Sequence, residues 1–348
     1  FIMAYTNNKV WPGTEHEALD IIYRALRIVG EFDEGDTATT DELTSARLAL
    51  NSMIREWSVA DGVGLWLRKR CILILNSGKQ RYSLGPAGTP GTVDDFHFFY
   101  DTELIEGATE LAEAASATQI EVTDTAWVDY AGNAVTKPQV ADVIGIRQDD
   151  LTIHWDTVGS IAAGSVTLTT GLDSAAAIGS KIYAYTNRAP RPHGILYTYR
   201  ESTSGSAAEN ELVGRREFER LSLKSSSGVP LKVHFDPGLD ATTSANNYST
   251  LHVWPVKNPK SYDKLILICE FHPDIIDDTA NKEIQFPDEW ASCLAWNLAD
   301  EIATEYEVGP QTQVIIAAKA REKKENMMWA ADREEASFFM ALETHGRA

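Results

Sequence analysis

Apolar positions follow a helical spacing at both ends of the chain and a strand-like spacing between them. The most regular stretch begins at Phe286-Pro287-Asp288-Glu289-Trp290 and runs to Gly309-Pro310. Pro287 suits the first position of a helix, where a missing N–H costs nothing. Asp288 and Glu289 place negative charge at the positive end of the helix dipole. Trp290, Leu294, Leu298, Ile302 and Tyr306 recur every four residues, with Cys293 and Ala299 beside them, which predicts one buried face. Gly309-Pro310 predicts the stop. Trp57, Trp290, Leu294 and Leu298 are the expected core anchors.

At the other end, Thr14-Glu15-His16-Glu17 has the form of a capping box opening a helix. Its apolar face is Ala18, Leu19, Ile22, Ala25, Leu26 and Val29, and Gly30 ends it. Thr39-Thr40-Asp41-Glu42 is a second capping box. Leu43, Ala46, Leu50, Met53 and Trp57 then step by three and four until Asp61-Gly62-Val63-Gly64. Two capped amphipathic helices with a short link predict an antiparallel helical hairpin.

After Trp66 the period changes. LRKRCILILN (67–76), a turn at Ser77-Gly78-Lys79 and QRYSL (80–84) predict a β-hairpin. Pro86 to Gly91 then marks a boundary. Short strand candidates follow at 118–124, 141–147, 151–155, 165–170 and 181–186, separated by Gly/Asp/Ala-rich turns. That rhythm predicts a small sandwich or barrel, inserted into the rest and able to fold alone. Arg188 to Pro192 returns the chain to its core. VGRREFERLSLKSSSGVPLKVHFD (213–236) predicts a short helix and a strand, LHVWPV (251–256) an edge strand closed by a proline, and LILICEF (265–271) another strand.

A last helix is predicted from Gln311 to about Leu342, about 45 Å long at 1.5 Å per residue. It carries the basic cluster Lys319, Arg321, Lys323 and Lys324, then Met327-Met328-Trp329, then Phe338-Phe339-Met340. Glu322 and Glu325 stand among the basic residues, so a solvated face is the ordinary explanation of the cluster. Its length and its apolar far end instead favour a contact outside its own subunit.

The predicted architecture is therefore α+β: a helical core from the N- and C-terminal segments, a β-hairpin layer and an inserted all-β domain. Residues 1–87 and 193–310 form the two parts of the core, 88–192 the insertion, and 311–348 a docking helix and tail.

Charge narrows the partners. With 31 Lys+Arg against 51 Asp+Glu the chain carries a net charge of −20, which opposes a tight grip on a phosphate backbone. It leaves room for DNA to slide past a like-charged wall. The 88–192 segment is the most acidic part. No apolar run reaches the ~18 residues that span a bilayer, and no signal peptide is expected. Cys71, Cys269 and Cys293 are odd in number and lack a C-x-x-C pair, which predicts no disulfide framework, no zinc site and assembly in a reducing cytoplasm.

Catalytic chemistry finds little footing. Asp94-Asp95, Asp149-Asp150 and Asp277-Asp278 are adjacent carboxylates of the kind that cap turns. His234, His252 and His272 lack metal-ligand spacing. Neither a nucleophile elbow nor a phosphate-binding loop is present in the sequence. The expectation is a protein without enzymatic activity, cofactor or metal.

ALRIVGEFDEG and LNSMIREWSVADG in the helical hairpin, the Trp66 strand, REFERLSLKSSSGVP, LHVWPV and FPDEWASCLAWNLADEIATEY together resemble the head-to-tail adaptor proteins of short-tailed bacteriophages, the packaged-DNA stabilisation and tail tubular protein A group. The resemblance covers roughly residues 14–85 and 190–310. It implies a ring of about twelve copies that joins the capsid portal to a tail nozzle or tubular protein. Double-stranded DNA would pass through that ring without sequence-specific binding. Location in the virion neck, after assembly in the host cytoplasm, is implied as well. The acidic insertion exceeds the family minimum. An alternative reading gives the insertion the active role, as a carbohydrate-binding or glycan-degrading module of a tail. Aromatic rings and carboxylates gathered in one cleft would favour it.

Overall fold

A computed structural model describes residues 18–30, 37–60, 67–85, 97–122, 127–136, 138–201, 206–238, 248–257, 263–273, 275–276, 284, 286–306 and 308–332. Its described helices are α1 (Ala18–Val29), α2 (Thr40–Ala60), α3 (Arg215–Glu219), α4 (Ala291–Ile302) and α5 (Pro310–Asp332). The strands begin with β1 (Arg68–Ile74), β2 (Arg81–Leu84), β3 (Phe98–Tyr100), β4 (Ile105–Ala108), β5 (Gln119–Glu121) and β6 (Val128–Asp129). Then come β7 (Val143–Arg147), β8 (Ile153–Ala162), β9 (Ser165–Leu168), β10 (Lys181–Tyr185), β11 (Gly194–Glu201) and β12 (Ala207–Leu212). The last are β13 (Ser227–Gly228), β14 (Lys232–Asp236), β15 (Ser249–Trp254), β16 (Val256–Lys257) and β17 (Lys264–Glu270). The chain is α+β and divides into two compact units, one drawn from Phe1–Leu65 and His272–Ala348, the other spanning Trp66–Phe271.

The first unit is helical, and α4 packs against α1, α2 and α5. Seven residues of α4 are buried, among them Cys293, Leu294, Leu298 and Ile302. Each fully buried leucine contributes about 1.5–3 kcal/mol relative to exposure. Trp57 on α2 and Trp290 just before α4 are buried together, ring centroids 6.3 Å apart. The cap of α2 forms a reciprocal box: Thr39 N–H and Oγ1 donate to Glu42 Oε2 at 2.6 and 2.7 Å. Gly30 ends α1 in the left-handed region, φ 89°, a backbone that glycine adopts freely. On α1 five of the expected positions, Ala18, Ile22, Ala25, Leu26 and Val29, are buried, while Leu19 is half-buried and Ile21 joins the buried face instead. The capping box at 14–17 lies outside the described residues.

Two boundaries differ from the expectation. Asp288–Trp290 is a 3₁₀ turn, so α4 proper starts at Ala291 and ends at Ile302, one turn before Tyr306. Gly309-Pro310 opens α5 and does not close α4: Pro310 is its first residue, and Gly309 C=O accepts the Gln313 N–H at 3.0 Å. The proline obeys the same first-turn rule, applied to the next helix.

The second unit is built from two large sheets. One has eight strands in the order β2-β15-β14-β12-β11-β17-β1-β3, the other seven in the order β5-β9-β8-β7-β10-β4-β6. β1 and β2 are therefore not a hairpin. β1 pairs with β17, Cys71 opposite Leu267, and with β3, while β2 pairs with β15. The reason is that β1 is apolar on both faces from Cys71 to Ile74 and needs an equally apolar partner on its flank. LILIC supplies one in full register. β15 is likewise interior, and Pro255 lies just past it, where it removes no ladder bond.

Side-chain alternation sorts these strands into three apolar layers. Cys71 and Leu73 of β1 join Leu265, Leu267 and Cys269 of β17 in one cluster. That cluster also takes Tyr82 and Leu84 from β2, Val233 from β14 and Phe98 from β3, so the eight-stranded sheet rolls over its own core. The opposite faces, Ile72, Ile74 and Ile266, meet Val143, Trp155, Tyr183 and Tyr185 of the seven-stranded sheet. The far face of that second sheet, with Ile144, Ile146, Ile182 and Ala184, packs around Trp127. The segment expected to stand alone thus shares its inner face with β1 and β17, within one compact unit that spans Trp66–Phe271.

A polar seam crosses the middle layer. Lys257 Nζ lies 2.8 Å from Asp263 Oδ1 and donates to the Leu75 carbonyl at 2.9 Å. Arg147 of the facing sheet donates to Asp263 Oδ2 at 2.9 Å. Lys264 pairs with Glu106 at 2.5 Å. Burial pulls the Lys257 ammonium below the ordinary lysine range, and Asp263 opposes that shift. Replacing Asp263 by Asn takes the carboxylate away from the buried Lys257 ammonium and is expected to cost about 3–5 kcal/mol, measured by chemical denaturation. A loss under about 1 kcal/mol would show the seam to be dispensable.

Two glycines in the second sheet are floors for tryptophans. A Cβ on Gly145 would stand 2.5 Å from the ring of Trp155, its direct cross-strand partner. One on Gly107 would stand 2.6 Å from Trp127. Gly145→Ala is expected to destabilise by about 1–3 kcal/mol through overpacking, with a lowered thermal midpoint as the readout. An unchanged midpoint would mean that the Trp155 ring shifts at no cost.

Candidate functional site

The sequence directs attention to α5, and the structure separates its basic residues into two groups. Ile316 and Ala320 are buried toward α4. Asn297 of α4 reaches across, donating Nδ2 to the Ala320 carbonyl at 3.1 Å and to the Cys293 carbonyl at 2.9 Å. Lys319 Nζ sits 4.7 Å from the ring centre of Trp296, and Lys324 Nζ sits 4.5 Å from that of Trp57. These two lysines lay their charge on aromatic faces of their own unit, an attraction of about 0.5–1 kcal/mol at exposed sites. Burial raises the Cys293 thiol to about 11, while Lys324 and Lys323 act in the opposite sense, so the sulfur stays protonated at neutral pH.

Arg321 differs. It is exposed and pairs with Glu325 one turn on, at 2.8 Å. Lys323, Met327 and Met328 are half-buried. The Trp329 side chain, Phe338, Phe339 and Met340 lie outside the described residues. At the start of the helix, Val314 and Ile315 are 69% and 55% exposed, which the sequence reading did not single out. Asn297 and Trp296 carry no such periodic signal; they stand between the positions of the four-residue stripe of α4.

The remaining candidates are spent on structure where they are described. Asp149 accepts the Ala177 N–H at 2.8 Å, and Asp150 accepts Thr152 N–H and Oγ1 at 3.0 and 2.6 Å. Asp94-Asp95 and Asp277-Asp278 lie outside the described residues. His234 Nδ1 is 3.0 Å from the Val213 carbonyl, and His272 Nδ1 is 2.9 Å from Ser58 Oγ. Among the described residues no three His, Cys, Asp or Glu side chains are grouped to hold a metal, and no helix is long and apolar enough to cross a membrane. Compared with known protein families and with curated proteins, the chain matches none.

The two groups of basic residues make a contrast that can be measured. Lys324→Ala removes a charge from the Trp57 face and is expected to cost about 0.5–1 kcal/mol. Arg321→Ala breaks only a solvent-exposed pair and is expected to leave denaturation unchanged. Equal effects from the two variants would contradict the division.

Proposed function

We propose that this chain is a structural virion protein, a ring-forming connector between the capsid portal and the tail through which genomic DNA passes, of the head-to-tail adaptor kind. The reading rests on α5. This helix of 23 residues is about 35 Å long, yet among its described side chains only Ile316 and Ala320 are buried within the chain. Val314 and Ile315 stand in solvent at its start. Apolar surface left in water costs about 25 cal/mol per Å², and a neighbour that covers it recovers that free energy. In this reading the helical unit from both chain ends is the adaptor core, the seven-stranded sheet is an accessory layer, and the net charge of −20 lets DNA pass without adhering.

The glycan reading is weaker. Trp127, Trp155, Tyr183 and Tyr185 are all buried between or behind the sheets, so these rings are committed to packing and are not presented to a sugar.

The test is the mass of the full chain in solution, alone and mixed with portal protein, by light scattering and native mass spectrometry. A discrete ring or a ring-on-portal complex is expected. Val314→Asp with Ile315→Asp, both at exposed positions where substitution costs little stability, is expected to keep the circular dichroism of the parent and lose the assembly. A chain that stays monomeric and ignores portal would overturn the proposal.

A further inference from the structure

α3 has one buried side chain, Phe218, and no side-chain cap at Gly214 to hold its start. Phe218 rests on two imidazoles. His234 of β14 and His252 of β15 are direct cross-strand partners. Their ring centroids are 5.9 Å apart and their planes 20° from parallel. Phe218 lies 5.7 Å from the first and 5.5 Å from the second. The His234 contact with the Val213 carbonyl ties the same imidazole to the residue two before the helix. A carbonyl only accepts, so Nδ1 carries the proton and donates. The attachment of α3 to the sheet therefore combines this pair of imidazoles, the side-chain type whose charge changes most readily between pH 5 and 8, with ion pairs from Glu217 to Lys232 of β14 at 2.6 Å and from Arg215 to Asp236.

The charges facing this pair come from each element around it. Arg81 of β2 is the cross-strand partner of His252 on its other side. β14 contributes Asp236, which Arg215 of α3 approaches to 3.8 Å. α3 contributes Glu219, itself paired with Lys224, whose ammonium lies 5.7 Å from the Phe218 ring centre. Burial, then His234, then Arg81 hold His252 below the ordinary imidazole range, while Asp236 and Glu219 pull the other way.

We infer that the Phe218–His234–His252 stack is an acid-sensitive clasp that holds α3 on the sheet and releases it when the imidazoles are protonated. One imidazolium under Phe218 gains from the ring face. A second one, 5.9 Å from the first and beside Arg81, meets like charge in a partly desolvated site. The sign follows from linkage. A base whose folded affinity for protons is lowered leaves the closed state binding fewer protons than the open one. The clasp is then at full strength above the ordinary histidine value of about 6.5 and weakens as pH falls below it.

Hydrogen–deuterium exchange of the full chain tests this, read by peptide mass spectrometry from about pH 7.5 to 5.5 at fixed ionic strength and corrected for intrinsic exchange. Peptides covering 215–221 are expected to lose about ten-fold more protection than peptides from β10 or β17. His252→Phe keeps an aromatic stack without the charge and is expected to abolish the difference; His252→Gln gives the same result without adding apolar surface. A parent chain in which both regions respond alike to pH overturns the clasp. So does a His252→Phe chain, folded by circular dichroism, that keeps the pH response.

Discussion

The double-sided burial of four strands governs the larger unit. β1 and β17 in one sheet, and β7 and β10 in the other, have apolar side chains on both faces, so neither sheet has a wet side along these strands. The middle layer is their common ground: Ile72, Ile74 and Ile266 from one side, Val143, Trp155, Tyr183 and Tyr185 from the other. Its demands propagate outward. Trp155 fits there because position 145 has no side chain, and His97 stacks on the Trp155 ring with centroids 3.7 Å apart. The Arg147–Asp263–Lys257 seam lies where the layer meets polar backbone, supplying the Leu75 carbonyl with a donor as well as fixing one sheet against the other. Such a seam specifies position more than it adds stability, because removing three charges from water offsets much of their attraction.

Local signals in the sequence were reliable where one element satisfied its own needs. Thr39 and Glu42 made the box that their spacing requires, and Gly30 ended α1 in the backbone region that glycine favours. The four-residue stripe of α4 marked the helix that its neighbours pack around. Signals failed where the answer lay far along the chain. A tight turn between two strand-like runs suggested a hairpin, but nothing near Ser77-Gly78 states that Cys71 will prefer Leu267. The pattern did hold a clue: continuous apolar runs such as CILIL, VIGI and IYAY mark strands covered on both faces. A free-standing small sandwich would show polar alternation. The same distance problem hid the destinations of Lys319 and Lys324, since no local pattern announces a tryptophan on another helix.

On the helical unit, charge and shape separate. The lysines at 319 and 324 lie over indoles of α4 and α2, so a good part of the positive cluster serves the unit's own packing. Outward, α5 presents Val314 and Ile315 at its first turns, and beyond them exposed polar and charged side chains such as Glu322, Asn326 and the Arg321–Glu325 pair. Under the proposed function, the apolar first turns would select a neighbour by fit.

β1 finds its principal partner roughly 200 residues later in the chain, which has a bearing on how the protein comes into being. At about 5–20 residues per second, a nascent chain holds CILIL without its mate for on the order of 10–40 s. An apolar, β-prone pentapeptide left open for that long is a nucleus for association between unfinished chains. The three residues before it are Arg68, Lys69 and Arg70. In the finished molecule Lys69 and Arg70 are exposed and add little to any core. During synthesis they would set like charges side by side in any two chains that tried to pair through this strand, a gatekeeping role that ends when β17 arrives.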